Sequence, residues 1–183
     1  MSHPRLIALT AALCGLVAAC GNAPDWSSTT IANGAITLRH EQVTLHTSGV
    51  PEAVITASGD FTIDGKAVAI TPDQRKQLQR YYQGALAVRE HGIATGKAGV
   101  AVAGAALSGI ADAISSGDGD QIDKHVSAKA ELVEQKARKI CLDLVEIKAA
   151  QDALATQLPA FKPYAGLLQA DDDDCKSTVI NRP

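Results

Sequence analysis

Four cysteines are the side chains of this chain best suited to covalent chemistry, and their surroundings assign them different tasks. Cys20 closes Val17-Ala18-Ala19-Cys20, at the end of a leader in which Arg5 gives a positive start and Leu6 to Val17 an apolar run. That pattern is a lipobox: a signal peptidase cuts after small residues, and the thiol of the new N-terminal cysteine takes lipid. An ordinary secretory signal with a coincidental cysteine is the plainer alternative. The run is too short for a permanent membrane span, which needs about twenty residues. Residues 1–19 are therefore expected to be a lipoprotein signal peptide and Cys20 the lipidation site. Gly21 stands where an aspartate would favour the inner membrane, so the expected address is the outer membrane, facing the periplasm.

Cys14 leaves with the leader, which leaves Cys141 and Cys175 as an even pair in an oxidising compartment. A disulfide between them is the expectation, contributing about 3 kcal/mol in the chain-entropy model. A buried thiol at Cys141 with a loose one at Cys175 is the alternative.

Other candidate chemistry fails on spacing. His3 lies in the leader, His40 and His46 in a β-textured stretch, and His91 and His125 on separate helical segments. His91 and His125 have no His or Cys neighbour at metal-ligand spacing, and His40 and His46 could share a strand face but for a bulge expected between them, which spoils the parity. Asp171 to Asp174 form an acidic run, but a calcium loop needs alternating oxygen ligands, a turn glycine and a later glutamate. No G-x-S-x-G nucleophile motif is present, and the acidic Gly117 to Asp120 turn would repel phosphate. The expectation is no metal, no cofactor and no catalytic site. Loss of Arg5 with the leader takes the net charge from −3 to −4, evenly spread, which argues against a nucleic-acid partner. Aromatic residues make up only 3%, too few for a carbohydrate-stacking platform.

The elements that would carry a function follow from periodicity. Residues 20–34 are small and polar and are expected to be a flexible tether. Residues 35–70 have β texture. Ile36 and Leu38 alternate on one parity, Val43 and Leu45 on the other, which predicts a bulge near His40-Glu41. Asp64-Gly65 is a strong hairpin signal, so an antiparallel meander of three or four strands is expected. Thr71-Pro72-Asp73-Gln74 has the form of a capping box and opens a helix. In it Leu86, Ile93, Val100, Leu107 and Ile114 recur every seven residues, with Gly96, Ala103 and Ile110 between them. From Val126 to Leu158 a second seam steps by four and three without a miss. The fold class is thus α+β: a small antiparallel β meander followed by a long antiparallel helical hairpin over 71–158, then a C-terminal tail at 159–183. A kink or break is expected at Gly92. The uncharged stretch Ala98 to Ala111, with GxxxG just before it, raises membrane insertion. Its length is that of a buried core helix, so close packing against the second helix is expected instead.

Val43-Thr44-Leu45, Asp64-Gly65-Lys66, Gln74-Arg75, Tyr81-Tyr82-Gln83 and Lys139-Ile140-Cys141 give the chain the element order of the YggN-like family of exported bacterial proteins, which it resembles over 36–158. The resemblance implies the fold and the compartment, and carries no catalytic residue. The chain departs in its shorter interhelical segment, its Ala/Gly-rich first arm and its lipobox. The functional expectation is a non-enzymatic envelope lipoprotein, held to the membrane by lipid at Cys20, that serves as a protein-binding or structural module. An immunity lipoprotein that neutralises an envelope-targeting toxin is the alternative, and a small-ligand carrier or enzyme the third.

Overall fold

The computed structural model describes residues 28–116 and 120–169. Six strands pair antiparallel in chain order: β1 (Ser28–Ile31), β2 (Ile36–Arg39), β3 (Gln42–Leu45), β4 (Ala53–Thr56), β5 (Phe61–Ile63) and β6 (Lys66–Ala67). Two helices follow, α1 (Pro72–Ser116) and α2 (Asp120–Gln157), and the chain then makes a 3-10 turn at Pro159–Tyr164. The α+β class with a β meander and a long helical pair is as expected; the strand count is higher.

β1 is the additional element at the N-terminal side, and it occupies residues expected to belong to the tether. Its register sets Ile31 opposite Ile36, which buries the Ile31 side chain. A polar stretch thus joins the sheet because its last residue reaches the core.

The parity change between Ile36/Leu38 and Val43/Leu45 has a different origin from the expected bulge. Leu38 pairs with Val43 and Arg39 with Gln42, so His40 and Glu41 form a two-residue turn. Both have positive φ, 48° and 58°, as a type I′ turn requires. Partners across such a turn lie an odd number of residues apart, so the inward set changes parity with no extra residue. Asp64-Gly65 makes the second turn of this kind, at φ 50° and 69°, between the paired Ile63 and Lys66. One face of the sheet then buries Ile36, Leu38, Val43, Leu45, Ala53, Ile55 and Phe61. The other carries a cross-strand row of Thr37, Thr44, Val54 and Thr62.

The β4–β5 loop docks the sheet onto α1. Arg75 Nη1 and Gln79 Nε2 both donate to the Ser58 carbonyl, and Arg75 also bonds Asp60 at 2.5 Å. The Ser58 hydroxyl, and after it Arg75, hold the Asp60 carboxyl below the usual carboxylate range. Gly59 sits here at φ 77°, and a Cβ on it would lie 2.7 Å from the Arg75 carbonyl oxygen. Only glycine permits that approach.

The expected capping box forms: Thr71 N–H donates to Gln74 Oε1 and Gln74 N–H to Thr71 Oγ1. The other end of the Gln74 amide donates to the Gln157 carbonyl, tying the start of α1 to the end of α2. α1 is continuous through Gly92, with no break there. A penalty of about 1 kcal/mol for one glycine is not enough to interrupt a helix held along its length by a packed partner.

The contact between the helices follows the expected seam in the C-terminal half of α2 but departs from it on α1. α1 buries Leu78, Tyr81, Tyr82, Ala85 and Val88, and α2 buries Ile147, Ala150, Gln151 and Leu154. The close approach falls at Gly84, where a Cβ would lie 2.6 Å from Ile147 Cγ1, and not at Gly96 or Ala103, both exposed. Val100 and Leu107 face solvent, 74% and 71% exposed. Small residues on the true contact face let α2 approach closely, and a seven-residue count of large side chains misses such a face.

The segment expected to be a free tail closes the core instead. Phe161, Tyr164 and Leu168 are buried. Phe161 stands 5.8 Å from Phe61, 6.0 Å from Tyr81 and 6.0 Å from Tyr164, centroid to centroid. The Tyr164 hydroxyl donates to the Pro51 carbonyl at 2.6 Å. Gln151, fully buried, donates to the carbonyls of Ala165 and Leu168 and accepts from Leu168 N–H.

Candidate interaction surface

Of the residues singled out by sequence, Cys20, Cys175 and the acidic run Asp171 to Asp174 lie outside the described residues. Cys141 is half-buried on α2. His40 occupies the β2–β3 turn, and His46 Nδ1 lies 3.4 Å from Glu52 at the exposed β3–β4 side of the sheet. Among the described residues no three His, Cys, Asp or Glu side chains converge as a metal site would require.

The most concentrated polar chemistry lies in a shallow groove between α1 and the C-terminal half of α2. Lys76, Gln79, Arg80, Gly84, Asp143 and Glu146 line it. Its charges are already matched across the helix pair: Arg80 Nη2 to Glu146 at 2.9 Å, and His91 Nδ1 to Asp143 at 2.6 Å. A His–Asp pair would orient a general base if a nucleophile stood at the other ring nitrogen. The nearest hydroxyl on the same helix, Thr95 Oγ1, is spent on the His91 carbonyl. The groove therefore reads as a set of interhelical latches beside the Gly84 approach. Sequence pattern did not show these pairs, because their members are more than fifty residues apart and fall on different elements.

Every aromatic side chain among the described residues is buried in the core. Burial pushes the phenols of Tyr81 and Tyr164 up from their ordinary range. The Tyr81 hydroxyl has no hydrogen-bond partner among the described residues. These groups pack and offer no stacking platform to a ligand.

The outer arm of the hairpin is the surface least covered among the described residues. Beyond Val88 the described residues of α1 that are buried are Ala98 and Gly109, and the uncharged stretch from Ala98 to Ala111 is bracketed by Lys97 and Asp112. Close packing of this whole stretch against α2 was the expectation, but only its inner side is covered. Ala98 and Gly109 are buried, while Val100, Leu107 and Ile110 are exposed. α1 is long and apolar enough by length and composition to cross a membrane, and 11% of its most apolar window is buried. An exposed apolar stripe of this kind marks a contact site. The outward stripe is made of the very heptad residues that sequence periodicity had assigned to the interior.

No curated protein and no solved structure matches this chain. The stretch 31–118, which runs from the end of β1 through the whole of α1 and stops short of α2, is similar to a protein family described as "Protein of unknown function (DUF2884)".

Proposed function

We propose that this chain is a non-enzymatic envelope lipoprotein of the YggN-like kind. Lipid at Cys20 holds it to a membrane facing the periplasm, and the outer arm of its helical hairpin binds protein. The observation that carries the reading is the exposed, uncharged stripe at Val100, Leu107 and Ile110. Its support is a rigid base: the sheet, the aromatic cluster and the interhelical latches lie at the opposite end of the hairpin, leaving the arm to project. At about 1.5 Å per residue, α1 is close to 68 Å long, so the arm stands well away from the sheet. A lipid anchor preceding β1 would tie that base to the bilayer and present the arm outward. Oxidation of Cys141, half-buried on α2, with Cys175 would pin the chain end to the same base.

Peptide mass spectrometry of the protein extracted from bacterial membranes tests the address. The expected N-terminal peptide begins at Cys20 and carries the mass of acyl chains, and Cys141 and Cys175 appear in one disulfide-linked pair. Cys20→Ser should move the protein to the soluble fraction or leave the precursor uncut. A correctly cut but unmodified Cys20 would overturn the anchor, and two alkylatable thiols in the native protein would overturn the bridge.

A further inference from the structure

We draw no further inference here: the strongest candidate, the exposed apolar stripe of Val100, Leu107 and Ile110 along the outer arm of α1, carries nothing beyond the binding surface already proposed, because nothing in the structure shows what covers it.

Discussion

Phe161→Ala should lower the stability of the folded chain by about 3–5 kcal/mol, the range for removing a fully buried ring. Phe161 is 0% exposed, and its ring meets Phe61 of the sheet, Tyr81 of α1 and Tyr164 of its own turn. Three elements converge on one side chain, so the cavity would open where none of them can move alone. Collapse of Tyr81 into the space is hindered because α1 is fixed nearby at Gly84 against Ile147. Urea denaturation of the mature chain with Cys20→Ser is the measurement. A loss below about 1 kcal/mol would mean that the Pro159–Tyr164 turn is not part of the core.

Gln151→Leu should cost about 3 kcal/mol despite adding an apolar side chain to an apolar surrounding. The Gln151 amide satisfies the carbonyls of Ala165 and Leu168 and the N–H of Leu168. Leucine has nearly the same volume but leaves those three backbone groups without partners, each worth roughly 1–3 kcal/mol when buried and less where water can reach it. The segment 165–169 should detach before the rest of the fold melts. Limited proteolysis should then cut it in the variant while the wild type resists, and an unchanged cleavage pattern would remove Gln151 from its role as a latch.

The sequence made the class of structure legible wherever local chemistry was enough. Thr71-Pro72-Asp73-Gln74 reads as a cap because its hydrogen bonds close within three residues, and Asp64-Gly65 reads as a turn because both positions need positive φ. The seam of α2 from Ile147 to Leu158 is legible because its large residues do face the core. Reading failed where side-chain size misled. On α1 the large residues Val100 and Leu107 point outward, while the packed face uses Gly84, Ala85 and Ala98, which a hydrophobic repeat weights lightly. The His40-Glu41 turn escaped notice because neither residue is a usual occupant of a type I′ turn. The chain after Pro159 looked like a tail because its two aromatic anchors find their partners only in three dimensions. The chemistry expected at Cys20 and at the Cys141–Cys175 pair rests on residue type and compartment, and the second bond of Gln74, to the Gln157 carbonyl, like the roles of Arg75 and Gln151, shows only through distant backbone partners.

The claim that the outer arm of the hairpin is the working surface is tested most directly by site-specific photocross-linking in intact cells. A photoreactive residue replaces Leu107 in the lipidated protein, and, in a separate strain, Lys162, an exposed residue at the base of the fold. The account predicts a discrete protein adduct from position 107 in the membrane fraction and little or none from position 162. Adducts from position 162 alone, or from position 107 to lipid alone, would contradict it.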